Sequence, residues 1–151
     1  MTNEGLPPAL AEIVDLFATS PPRDRLELLL EYSQQLPPLP ERYADHPELL
    51  EPVPECQSPL FVASEIDDDR RVHLFVDAPQ EAPTTRGFAG IFHAGLDGLS
   101  ADEVLAVPGD VTSRMALAEV VSPLRLRGAA ALLGRVQRQV RTKLAAAPPA
   151  A

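Results

Sequence analysis

Hydrophobic positions fall into two rhythms along the chain. Leu10, Ile13, Val14 and Phe17 recur at the spacing of one helix face, behind Pro7-Pro8, which suit a first helical turn. A second helix is expected next, capped by Ser20 with Pro21 in its first turn, and carrying Leu26, Leu29, Leu30 and Leu36 as its apolar stripe. Pro37-Pro38 and Pro40 stop it. Residues 37–59 hold seven prolines, too many for regular structure beyond a short helical turn near Pro47–Leu50. The rhythm then changes. Leu60–Ala63 and Val72–Val76 read as strands joined at Asp67-Asp68-Asp69 by a hairpin turn. That Asp run lacks the alternating spacing and distant Glu of a calcium loop.

Helical periodicity returns afterwards. Thr84 is placed to cap a helix bearing Phe88, Ile91, Phe92 and Leu96, whose small residues (Gly87, Ala89, Gly90, Ala94, Gly95) suit close packing or, failing that, a ligand groove. Ser100-Ala101-Asp102-Glu103 is a capping box opening a short helix that ends before Pro108. A helix over Thr112–Val121 is expected, then a break at Ser122-Pro123. The last helix spans roughly Leu124–Ala145 with Leu126, Ala129, Leu133, Val136, Val140 and Leu144 as its stripe, and the chain ends in a frayed tail. Grouped strands joined by a tight turn, with helices segregated from them, predict an α+β fold: a small antiparallel sheet with helices packed on one side. With 151 residues and no internal repeat, one domain over 1–151 is expected.

Charge sharpens this picture. Net charge is −9, which argues against nucleic acid or an anionic membrane as partner. All 22 acidic residues lie at or before Glu119, and Arg125, Arg127, Arg135, Arg138, Arg141 and Lys143 follow with no acid among them. The final segment is therefore +6 and the remainder −15. It reads either as a solvated helix face with favourable cations near a helix C-terminus, or as a docking surface for an acidic partner. No basic leader begins the chain and no run nears the ~20 apolar residues of a membrane span. The expectation is a cytoplasmic monomer.

The candidate chemistry centres on Cys56, the single cysteine, which excludes an internal disulfide. Lone cysteines are usually small buried hydrophobes. Here Glu55, Gln57 and Ser58 flank the thiol, with Pro54 and Pro59 beyond, and that neighbourhood predicts a presented thiol on a stiffened loop. One Cys with His46, His73 and His93 lacks the ligand-pair spacing of a zinc site and cannot hold a standard iron–sulfur cluster. His73 alternates outward on its strand, and His93 beside Phe92 is a packed or peripheral histidine. A cysteine hydrolase lacks a signature, and Glu55 opposes thiolate formation unless cations starting at Arg125 offset it. A sulfur relay needs only a reachable thiol, no resolving partner thiol and a docking surface. An inert buried cysteine stays open as the alternative.

Several segments, in order, resemble one family. Cys56-Gln57-Ser58 before an apolar strand is similar to the G-C-x-S-x-V-W pattern of the SufE sulfur acceptors. Leu28–Pro40 resembles the upstream L-G-x-x-L-P-x-L segment, Arg86-Gly87 its basic-Gly pair, Leu99–Val104 its L-T-P-x-x-I helix start, and Ser122–Gly128 its S/T-P-x-R-x-x-G motif before the final helix. The resemblance covers about 10–145. It implies a fold like the U-type cluster scaffolds and a role in iron–sulfur cluster assembly without a cofactor of its own. It implies that Cys56 accepts a persulfide sulfur from a pyridoxal-phosphate cysteine desulfurase, or a rhodanese-type sulfurtransferase, and passes it toward a scaffold. The protein is then an accessory of its donor rather than a free-standing enzyme. Glu55, Gln57 and Ser58 support the loop, and Arg125 matches the family arginine near it. Glu55 departs from the family Gly, Phe61 from its Trp, and the proline-rich flanks are unusual. The competing reading is a non-covalent regulator of a desulfurase or rhodanese-type sulfurtransferase with Cys56 passive; an inert interaction domain is the third.

Overall fold

A computed structural model describes residues 5–146. Among these it has six α-helices and one three-stranded sheet. Helix α1, Pro8–Thr19, begins on prolines whose missing N–H costs nothing there, and buries Leu10, Ile13, Val14 and Phe17. Helix α2, Pro22–Gln35, departs from the predicted stripe: it buries Arg25, Leu29 and Ser33, while Leu26 and Leu30 are about half exposed. A buried arginine is admissible because its bonds are filled. Arg25 Nε donates to the Phe17 carbonyl at 2.9 Å, and Nη1 to the Ala116 carbonyl at 3.0 Å and to Glu119. Ser20 does not cap α2; it closes α1, with its hydroxyl on the Leu16 carbonyl, and Pro21 precedes α2.

The proline-rich run is more ordered than its composition suggests. It forms α3, Glu41–Ala44, a 3-10 turn at Pro47–Leu49, and strand β1, Glu51–Pro52. Strands β2, Phe61–Ile66, and β3, Val72–Asp77, follow, and the antiparallel order is β1-β2-β3. Register pairs Phe61 with Asp77 and Ile66 with Val72. Alternation sends Val62, Val72, Leu74 and Val76 into the main core. Ala63, Phe61 and Phe75 face the other way, where Leu39, Tyr43 and Leu50 cover them. Asp67 makes the hairpin turn: its Oδ1 accepts the N–H groups of Asp69 and Arg71 at 2.9 and 3.0 Å, with Arg70 left-handed at φ 63°. The far side of β3 bonds to the chain after the next helix. Val72 N–H donates to Leu99, Gly98 N–H to Val72, and Leu74 N–H to the Asp97 carboxylate at 2.8 Å.

Helix α4, Pro83–Leu96, starts after Ala82, so Thr84 lies inside its first turn rather than capping it. Its small residues serve packing: a Cβ on Gly90 would lie 2.0 Å from the Tyr32 carbonyl oxygen of α2. Helix α5, Ala101–Leu105, carries the expected capping box between Ser100 and Glu103. The helix expected over Thr112–Val121 is instead two 3-10 turns, Ser113–Met115 and Leu117–Glu119, broken by left-handed Ala116. Helix α6, Pro123–Ala146, lies under the sheet and buries Gly128, Ala129, Leu132, Leu133, Val136 and Val140. The tail expected from Ala145 is helical to Ala146, and its remainder lies outside the described residues. Among the described residues no helix is long and apolar enough to cross a membrane.

Candidate functional site

The segment joining β1 to β2 is pinched at its neck, where Val53 N–H donates to the Leu60 carbonyl at 2.8 Å and both side chains are buried. Between them Pro54–Cys56 form a 3-10 turn, and Gln57 leaves it in the left-handed region at φ 64°, ψ −15°. The conformation that favours glycine thus falls after the cysteine and not at Glu55. This path turns Cys56 inward. The expectation of a presented thiol is corrected: Cys56 is 5% exposed, while Pro54, Glu55, Gln57 and Pro59 face solvent. The prolines and polar neighbours shape the outside of a loop whose one apolar side chain points in.

Cys56 packs on α6 where a glycine lets it. A Cβ on Gly128 would lie 2.9 Å from the Cys56 Cα and 3.2 Å from its Sγ. The thiol donates to the Gly128 carbonyl at 3.3 Å. Beside it is a cavity of about 10 Å³, lined by Leu60, Thr85, Phe88, Arg125, Ala129 and Leu132. That is close to the least space holding a single water. Arg125 sits at this cavity, half buried, with Nη1 on the buried Thr85 hydroxyl at 3.3 Å. Burial and then the Glu55 carboxylate push the thiol up to about 11, against the opposing pull of Arg135 and Arg125. At neutral pH the closed site therefore holds a thiol, not a thiolate.

The loop's outer side is tied to α6. Arg135 Nη2 reaches both Glu55 oxygens at 3.1 and 3.3 Å, and its Nη1 reaches Glu51 Oε2 at 2.7 Å. Arg138 also pairs with Glu51, and Gln139 donates to it at 3.0 Å. Burial works against ionisation of Glu51, but these partners hold it down to about 2. Much of the basic segment is thus spent on internal contacts, with Lys143 bonded to the Ser64 carbonyl. Arg127 and Arg141 remain exposed.

Cys56 lines the same small cavity as Arg125, and Glu55 precedes it in the turn with its carboxylate on Arg135. Gln57 acts through its backbone, and the half-buried Ser58 side chain makes no hydrogen bond among the described residues. Sequence reasoning missed Thr85, Glu51 and Arg135 as site residues; pairings across 40 to 84 residues leave no local signal. His73 faces outward, 2.8 Å from Asp67, and His93 lies 3.8 Å from Asp97. Among the described residues no group of three or more His, Cys, Asp or Glu is arranged to hold a metal ion.

The family model described as "SufE: Fe-S metabolism associated domain" matches residues 11–140. The chain belongs to the SufE family. An uncharacterized SufE-like protein of Mycobacterium tuberculosis strain H37Rv is 52% identical over 136 residues, 90% of this chain and 94% of that protein. An uncharacterized SufE-like protein of Synechocystis is 27% identical over 129 residues, 85% of this chain and 77% of the other. The solution structure of a hypothetical protein from Thermus thermophilus superposes with a TM-score of 0.81 at 41% identity, covering 93% of this chain and 98% of that one. SufE membership associates the chain with iron–sulfur metabolism. Gly128, inside the Ser122–Gly128 motif, has its physical reason in the packing: it is the seat of the cysteine loop.

Proposed function

We propose that this protein is a sulfur carrier in which Cys56 takes the terminal sulfur of a donor persulfide and hands it on for iron–sulfur cluster assembly. The donor is a pyridoxal-phosphate cysteine desulfurase, or a rhodanese-type sulfurtransferase. The observation that carries the reading is the chain's single thiol lodged beside a cavity with room for about one more atom. The Cys56 thiolate attacks the outer sulfur of the donor persulfide. A new sulfur–sulfur bond forms on Cys56, the donor's own sulfur–sulfur bond breaks, and the donor leaves as a thiolate that takes up a proton. No oxidant is consumed. Retracted, the loaded sulfur sits among Leu60, Phe88 and Leu132, away from soluble reductants. Because the closed thiol is raised to about 11, acceptance happens with the loop out, where the thiol approaches its ordinary range.

Burial of the thiol also favours a second reading, a non-covalent regulator of the donor in which Cys56 only packs. One experiment separates them. Intact mass is measured after incubation with cysteine and a desulfurase, and again with a rhodanese charged by thiosulfate. One added sulfur atom, removed by reductant and missing in Cys56→Ser, is the expected result. Full stimulation of the donor by Cys56→Ser would overturn the carrier reading.

A further inference from the structure

Arg135 spans two parts of the molecule that must separate if Cys56 is to emerge. One arm of its guanidinium holds Glu51 in β1, which Arg138 and Gln139 also fix, so the group is anchored. The other arm is thereby aimed at Glu55, the residue before Cys56 in the same 3-10 turn. The planar fork makes this two-carboxylate grip feasible for arginine, where a lysine ammonium would act as a point charge. Glu55 adjoins Cys56 in the same turn, so movement of Sγ off the α6 face pulls on this ion pair. Neither the Gln57 nor the Ser58 side chain makes a hydrogen bond among the described residues, so Glu55 is the loop's charged tie. We infer that Arg135 is a positioning residue, a latch that holds the Cys56 loop shut through Glu55 and sets how often the thiol is offered to a partner. The inference deepens the sulfur-carrier reading and rests on it. A partner carboxylate, or salt, that competes for the guanidinium releases the loop.

The test exploits an opposition between the two ends of the latch. Glu55 disfavours the thiolate and Arg135 favours it. If Cys56 reacted in its closed place, Glu55→Gln would speed alkylation and Arg135→Gln would slow it. If the latch governs access, both substitutions speed it, each by about threefold, the scale of a half-exposed ion pair. The rate is followed with iodoacetamide, which is neutral and too large for the closed cavity, at fixed pH and low salt. Arg141→Gln, which removes an exposed cation of the same helix and touches neither Glu51 nor Glu55, keeps the wild-type rate. A slower or unchanged rate in Arg135→Gln overturns the latch, as does an equal gain in Arg141→Gln. Urea unfolding of each variant shows whether a gain comes from global unfolding. Should Arg135→Gln not fold, amide hydrogen exchange at Cys56 and Gln57 in Glu55→Gln decides: faster exchange supports the latch and unchanged exchange overturns it. Neither readout involves a sulfur donor, so the latch and the carrier reading fail separately.

Discussion

Replacing Gly128 by alanine sets the helix against the loop. The new methyl would lie 2.9 Å from the Cys56 Cα, 3.2 Å from Sγ and 3.3 Å from the Glu55 carbonyl oxygen. Helix α6 is pinned by Ala129, Leu132, Leu133 and Val136, so the loop is what yields. The helix gains about 1 kcal/mol from alanine over glycine. Overpacking costs about 1–3 kcal/mol, so net stability falls by no more than ~2 kcal/mol. The thiol changes more. Burial is the chief reason it stands at about 11 rather than 9.0. A loop lifted into water loses most of that difference, worth ~2.7 kcal/mol or about a hundredfold in thiolate fraction at neutral pH. Ultraviolet titration of the thiolate, paired with alkylation and urea unfolding, reads all three quantities. The expected result is a thiol titrating toward 9.0, alkylation faster by up to ~100-fold, and a midpoint near wild type. A thiol still at about 11 with unchanged alkylation would refute the reasoning, because it would mean that α6 gave way and the loop stayed seated.

Three further outcomes are expected. The native Cys56 thiol keeps a proton that the unfolded chain sheds, so its contribution to stability is full below about pH 9 and is lost as pH rises toward about 11; urea midpoints in wild type should fall more steeply over that range than in Cys56→Ala, by at most ~2–3 kcal/mol, and parallel curves would contradict this. Gly90→Ala forces a methyl to within 2.0 Å of the Tyr32 carbonyl oxygen, so α2 and α4 must part; a loss of about 3 kcal/mol in urea unfolding is expected, the upper end of overpacking costs. Arg25→Met leaves the Phe17 and Ala116 carbonyls without their guanidinium donor. It should cost about 2 kcal/mol, and a wild-type urea midpoint would show that these bonds are replaced by others.

How much was legible depended on whether a neighbour in sequence carried the signal. The α6 stripe was readable because 24 residues repeat one face, and the α5 capping box because both partners lie within four residues. The small residues of α4 announced close packing, and α2 supplies the backbone they pack against. The α2 stripe was misplaced because hydropathy discounts a buried arginine: Arg25 and Ser33 occupy the inner face and displace Leu26 and Leu30 outward. At the site, Cys56 was legible as the residue of interest but not in its orientation. Loop composition reports the solvent side, whereas the inward turn is set by left-handed Gln57 and by the absent side chain of Gly128, 72 residues later. Glu55 read only as a departure from the family glycine that opposes the thiolate, because its partner, Arg135, lies on another element.

The three-stranded sheet has one outer rim that is very short and another that is partly covered. β1 is two residues long and ends in Pro52, which has no N–H to offer, and Glu51 beside it is engaged by α6. On the opposite rim, Gly98 and Leu99 and the Asp97 carboxylate occupy the backbone groups of Val72 and the N–H of Leu74. Open rims recruit strands from other chains, and short, proline-ended or covered ones do not. This small sheet therefore offers few free backbone groups to a strand from another chain. If the Cys56 loop opens as proposed, that opening exposes little free strand edge beside it, and a partner meets side chains first.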